Sequence, residues 1–473
     1  MARNDQVQLS FIDLELQRQG IQLDPELQTI ADFLDQHQAL LEHIRADLLR
    51  GLKSPHRGRQ GLTPTQVLRC LVLMRIKNWD LRELRERIAD GYVLRRFADF
   101  RGEQTVPKHD AFCRSFNRLT PQTMRSVNAF VVQAAVDLGL EDGHQLRVDC
   151  TVVQTDIHHP TDNTLLWDVV RVLTRLVHRL FQALGRPVRR FSNRTRAVRR
   201  RMQEIQRMSP QQRHARQTSK YRQLVALGEE VVVAARSVLA RTEKAQVTDP
   251  LDQARIHGLR QEIKHFCHLG DRVLDQTRRR VFCGETVPAQ EKVYSIFEDH
   301  TDLIKRGKIE TPLEFGHKIL LAESAQGLIS HYEVLDGNPP DERHVPPVLE
   351  KHRETFGHVP ASLGADRGFF SEQNLETCKQ QGVTMPSIPQ RGGQKTPERA
   401  AYEKSAAFKM MQRFRAGIEG RISVLFRGRG MKRCRNHGRA RFEVFVGGAV
   451  LANNLLRIAD LIRNSCSRKK KAA

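Results

Sequence analysis

The chain of 473 residues has no CxxC pair and no Cys/His cluster at zinc spacing. Its cysteines, Cys70, Cys113, Cys150, Cys267, Cys283, Cys378, Cys434 and Cys466, are scattered, which excludes a disulfide-stapled scaffold or zinc finger and predicts reduced thiols. It shows no apolar run long enough to span a bilayer, and its first residues, MARNDQVQLS, lack the apolar core of a signal peptide. A soluble, cytoplasmic protein without a membrane partner is the expectation. Acidic residues are the other shortage: Asp+Glu 54 against Lys+Arg 78 leaves a formal charge of +24 and a pI near 10.2. Such an excess speaks to partners rather than to fold. Nucleic acid is the commonest, because each Lys or Arg on a phosphate releases condensed counterions; anionic membrane is the main competitor.

Hydrophobic residues at 39% and charged residues at 28% are ordinary globular values. A chain of this length predicts two or three domains. The first part reads as helices. Thr63-Pro64-Thr65-Gln66 supplies a capping box with proline at the first helical position, and Val67, Leu71 and Met74 share the following face. Asp80 with Glu83 starts a second helix, Asp110 a third, and Thr120-Pro121 a fourth. With Arg95, Arg96, Arg101, Lys108 and Arg114 between them, these short helices suit a helix-turn-helix-like DNA-binding module, or a helical domain with a solvated basic face.

The pattern turns β-rich from Gln145 to Val153, becomes helical again from about 161 to 280, and returns to strands at Lys292–Phe297, Phe315–Leu321 and Gly327–Leu335. Asp336-Gly337-Asn338-Pro339-Pro340 is a turn. A helix to Phe356, a strand to Asp366, a helix capped by Ser371, a strand at Val383–Ile388 and two final helices follow, and Ser467–Ala473 reads as a disordered basic tail. The resulting expectation is an N-terminal helical domain over 1–140, a second domain over 141–160 and 290–462, an inserted helical region over 161–289, and the tail over 463–473.

Three carboxylates stand out: Asp149 in LRVDCTVV, Asp366 in SLGADRGF and Glu419 in FRAGIEGRISVLF. The first two end strand-like runs, and the third rides a helix whose stripe is Phe408, Met411, Ile418, Ile422 and Leu425. A buried, unpaired carboxylate costs on the order of several kcal/mol, so Asp149 needs a partner: a metal, or a salt bridge to Arg147 or another arginine. Glu419 has a simpler alternative in an i,i+4 pair with Arg415. Gly417 and Gly420 each disfavour a helix interior by up to about 1 kcal/mol, which suggests close approach by something bulky. Phosphodiester chemistry needs charge neutralisation and in-line positioning, which two divalent ions on a few carboxylates supply.

The runs VDCTVVQTDIHHPTDNTLLWDVVRVLTRL, EFGHK, GADRGFF and RFRAGIEGRISVLFRGRGMKRCRNHG closely resemble bacterial insertion-sequence transposases of the DDE type, particularly the ISNCY group. LTPTQVLRCLVLMRIKNWDLRELRERIAD looks like the helical domain of that family. The resemblance implies an α/β fold of large helical content: a ribonuclease-H-like mixed sheet with an inserted helical bundle and an N-terminal all-α DNA-binding domain. It also implies binding to the terminal inverted repeats of the element, metal-dependent cleavage, and strand transfer into target double-stranded DNA. At least a homodimer on DNA, in the bacterial nucleoid, goes with that activity.

Carried over, the acidic triad falls on Asp149, Asp366 and Glu419, which would hold two Mg²⁺ (or Mn²⁺) ions; Glu403 and Glu443 lie nearby without the RAGIEGRI setting of Glu419. DNA contacts are expected at His317, Lys318, Arg367 and Arg415, at Arg427, Arg429, Lys432 and Arg433 just past Glu419, and at Arg189, Arg190, Arg199 and Arg200 in the densest basic stretch. As a helix, that stretch would carry charge on nearly every side, favouring a DNA-facing arm. Two competing readings are a catalytically inactive, sequence-specific DNA-binding protein derived from a transposase, and a helical interaction protein whose charge is incidental.

Overall fold

The computed structural model describes residues 18–53, 61–101, 104–208, 210–243, 245, 247–305 and 313–472, with the side chains of 210–216 and of 468 onward left aside. The lysines of the expected basic tail therefore lie outside the described side chains. The chain forms two compact units, one of residues 1–154 and 318–473, the other of residues 155–317.

In the first unit, helices α1 (Pro25–Gln36), α2 (Leu40–Leu49), α3 (Pro64–Lys77), α4 (Leu81–Asp90), α5 (Tyr92–Phe97), α6 (His109–Phe116) and α7 (Pro121–Asp137) precede strand β1 (Gln145–Thr155). The caps act as the sequence requires. Thr63 Oγ1 accepts from Gln66 N while Gln66 Oε1 accepts from Thr63 N, and Asp80 and Thr120 cap α4 and α7. Helix α3 is buried on nearly all sides, the mark of a core helix.

After β1 the chain enters the second unit as α8 (Asp162–Ala183), α9 (Thr195–Gln206), α10 (Pro210–Thr242) and α11 (Pro250–Val281). Leu166, Val169, Leu173, Leu224, Val232, Ile263 and Val273 fill the core between them. Two expectations are corrected here. Helix α9 is not charged all round, because Val198 and Ile205 are buried in that core while Arg199 and Arg200 stay exposed. The segment Lys292–Phe297 is not a strand: Val293 N donates to Gln276 Oε1, and Ser295 Oγ accepts from Phe297 N and Glu298 N, so side chains take the backbone groups a ladder would use.

The remaining elements are β2 (Asp302–Lys305), β3 (Leu313–Ser324), β4 (Ile329–Val334), α12 (Val345–Phe356), β5 (Ser362–Gly364), α13 (Glu372–Gln381), β6 (Met385–Ser387), α14 (Pro397–Lys404), α15 (Ala406–Gly428), β7 (Arg433–Cys434) and α16 (Arg439–Ala472). Among the described residues the strands form one seven-stranded sheet, ordered β2-β3-β1-β5-β6, with β4 also on β3 and β7 on β1. Strands β3 and β4 are antiparallel, whereas β1, β5 and β6 run parallel. The order β4-β3-β1-β5-β6 is consistent with a ribonuclease-H-like core.

Helix α16 corrects two further expectations. It continues to Ala472, into the segment expected to be disordered. Its residues Arg439–Ser467 are also long and apolar enough to cross a membrane, although no such run was expected, but 78% of that apolar window is buried inside the protein. Leu451, Ala452, Leu455 and Ile458 share one core with Leu27, Ile30, Leu68, Leu71 and Val131 of the N-terminal helices, so α16 is a core helix.

Candidate active site

Alternation along β1 sends Leu146 and Val148 into the core with Leu363 and Ala365, and turns Arg147 and Asp149 to the other face. Asp149 is only 9% exposed. Its Oδ1 accepts from Cys150 N at 2.7 Å and its Oδ2 from Arg415 Nη2 at 2.9 Å. Burial pushes its carboxyl up to about 6, with Asp366 and Asp341 adding to the rise and Arg415 and the Cys150 amide opposing it.

Asp366 follows β5 at the mouth of the turn Arg367–Phe369, where its Oδ1 accepts from Gly368 N at 2.8 Å. Its Oδ2 lies 3.6 Å from Arg415 Nη2. Glu419 sits one turn beyond Arg415 on α15, with Oε1 3.6 Å from Nη1, and is 70% exposed. One guanidinium thus faces all three carboxylates, although they come from segments 217 and 53 residues apart (366 − 149 and 419 − 366). The salt-bridge alternatives for Asp149 and Glu419 are therefore both realised, and by the same arginine.

A fourth carboxylate, Asp341, joins the group without having been singled out from sequence. It pairs with Lys318 Nζ at 2.7 Å, while that amine also donates to Pro339 O. A Cβ on Gly368 would stand 2.9 Å from both Asp341 Oδ2 and Asp366 Oδ1, so a side chain there would push these two carboxylates aside. No spacing signal marks Asp341; it arrives through the turn after β4.

Helix α15 is fixed against the sheet by buried polar bonds. Glu323 of β3, fully buried, holds Arg147 Nε at 2.8 Å on one oxygen and Arg421 Nε at 2.8 Å on the other. Arg147 also donates to Phe414 O and stacks over the Phe414 ring at 4.6 Å. A side chain at Gly417 would collide with the Arg147 guanidinium, which accounts for that helix-interior glycine. Gln412 Nε2 adds bonds to Ala365 O and Ser387 O at the ends of β5 and β6.

Of the other expected contact residues, Lys318 pairs with an acid of this group. His317, in the second unit, is 1% exposed, with Nδ1 bonded to Asp302 and Nε2 to His300. Lys318 is committed to Asp341 and Pro339, and Arg429 to Ile76 O. Arg189, Arg190, Arg199, Arg200, Arg367, Arg427, Lys432 and Arg433 are exposed. Glu403 is taken by Lys395 and Arg399, and Glu443 by Arg125 and Arg439, so neither belongs to the Arg415 group.

Among the described residues no three His, Cys, Asp or Glu groups stand close enough to hold a metal as they are placed, since Arg415 lies among the acids. The donor chemistry nonetheless fits a hard divalent cation. Among the described residues the cations paired with these four carboxylates are Arg415 and Lys318, and the carboxylates themselves offer oxygen donors.

Two family models match the chain: a transposase domain, DUF772, over residues 18–118, and the transposase DDE domain over residues 300–455. The second match contains Asp366 and Glu419 in their converged arrangement. The chain belongs to the insertion-sequence DDE transposases. No curated protein and no solved structure matches it. In this transposase the DDE match begins after α11, the last helix of the second unit, so Asp149 lies outside both matched segments and reaches the site through the sheet.

Proposed function

We propose that the transposase cuts and joins DNA at Asp149, Asp366 and Glu419, acting on the terminal inverted repeats of an insertion sequence of the ISNCY group. The observation that carries this reading is the convergence of those three side chains on Arg415. Bound by them, Mg²⁺ or Mn²⁺, two ions in this reading, would activate the attacking oxygen and stabilise the leaving one.

The protein's own groups then have distinct tasks. Asp149, inside β1 where the sequence had suggested the end of a strand, and Asp366, just past β5, are held by backbone amides, which sets their direction before any ligand arrives. Glu419 is exposed and set by the clamp on α15. Arg415 balances the acids, and its withdrawal toward a DNA phosphate would free their oxygens. Arg427 in the last turn of α15 and Lys432 and Arg433 just beyond it, all exposed, suit the DNA backbone, as do Arg189, Arg190, Arg199 and Arg200 in the second unit. The N-terminal helices are assigned to DNA binding, and a homodimer or larger assembly to pairing of the two ends.

The test is strand transfer with DNA carrying the element's ends. Activity should require Mg²⁺ or Mn²⁺, and Asp149→Ala, Asp366→Ala and Glu419→Ala should each abolish it while end binding persists. Full activity in any one variant removes that residue from the chemistry.

A further inference from the structure

A cavity of about 720 Å³ opens in the first unit between the end of α3, the start of α4, α6, the segment after α15 and the first turns of α16. Its apolar wall includes Leu71, Trp79, Phe116 and Phe445. Arg82, Lys432, Arg433, Arg435 and Arg441 supply a basic lining, and the one acid there, Asp80, is occupied as the cap of α4, accepting from Arg82 N and Glu83 N.

Arg75 is the residue that gives this cavity a chemical preference. It is 9% exposed, stacks over Phe445 at 4.0 Å, and pairs with no carboxylate among the described residues; its Nε has no hydrogen-bond partner. Burial draws its guanidinium down to about 10. An uncompensated buried cation is costly, and one that faces a basic cavity is satisfied by an anion arriving from outside.

We propose that this cavity binds one nucleotide unit of an unpaired DNA strand, with the phosphate on Arg75 and the basic lining and the base against Trp79 and Phe116. The volume is that of a small-ligand pocket and does not admit a stacked duplex. Aromatic faces beside cations are the means by which unstacked bases are held. Helix α15 ends nine residues after Glu419 (428 − 419), roughly 14 Å along its axis, and the basic lining enters at Lys432, four residues past that end (432 − 428). Only that spacing rests on the catalytic reading; occupancy of the cavity does not.

The experiment uses the full chain with chelator present and a short oligothymidylate as probe. In a Trp167→Phe background Trp79 is the remaining tryptophan, and its emission should be quenched as the oligonucleotide binds. Read by the anisotropy of a dye-labelled oligothymidylate, Trp79→Ala should weaken binding roughly 5- to 150-fold, the span of single stacking contacts, and Arg75→Met, which loses the phosphate contact, should weaken it as well. Arg75→Met should melt no lower than the parent, because it removes an unpaired buried charge. Unquenched Trp79 emission, unchanged affinity in both variants, equal quenching by a blunt duplex, or saturation by thymidine monophosphate at the oligonucleotide's affinity would each overturn the proposal. Strand-transfer assays of Asp149→Ala fail or succeed independently of these results.

Discussion

Replacing Glu323 by alanine should detach the helix that carries Glu419. Removing one partner of a buried ion pair costs about 3–5 kcal/mol, because the other charge is left uncompensated. Two arginines depend on Glu323, but their side chains keep 12% and 20% exposure, and Arg147 retains its bond to Phe414 O. Water can therefore reach both, and the expected loss is about 3 kcal/mol, at the lower end of that range. Glu323→Gln keeps the shape and one acceptor and should lose about 2 kcal/mol, the value of hydrogen bonds to charged groups. Urea unfolding near neutral pH measures both. Amide exchange should show faster opening of α15 in each variant, and strand transfer should fall with it. A loss below about 1 kcal/mol in Glu323→Ala, with α15 amides as protected as before, would refute the idea that this clamp sets the helix.

Gly417→Ala should cost about 1–3 kcal/mol in the same unfolding assay, because the new methyl meets an Arg147 guanidinium that is bonded in place. Arg415→Met should tighten Mn²⁺ binding in calorimetry, since the competing cation is gone, while strand transfer is lost; weaker Mn²⁺ binding would contradict the placement of the acids. Burial, aided by His358 and opposed by the bond to Gly143 O, holds His352 down at about 4 against 6.5 unfolded. The unfolded chain therefore binds the extra proton between those values, so this contribution is present above 6.5 and is lost as pH falls toward 4. His352→Gln should flatten the stability profile in that window, measured by thermal melts across pH.

Much of the fold is legible along the chain because its signals are local. Thr63, Asp80 and Thr120 each cap the helix that follows, and the alternation of Leu146 and Val148 with Asp149 places the acid opposite the core. Where local reading failed, another part of the chain intervened. Gln276, from α11, takes the Val293 amide and leaves bends where a strand was expected. The apolar face of α16 found its partners in helices some four hundred residues earlier, so a span fit for a membrane became a core.

The sequence alone offered three acids as candidates, in order, with the chemistry that hard oxygen donors allow, because residue type and flanking pattern carry that information. It could not say that one arginine faces all three, that Asp341 joins them, or that Glu323 fixes the helix beneath them. Those contacts join segments far apart in the chain, and packing of the sheet against α15 brings them within hydrogen-bonding distance.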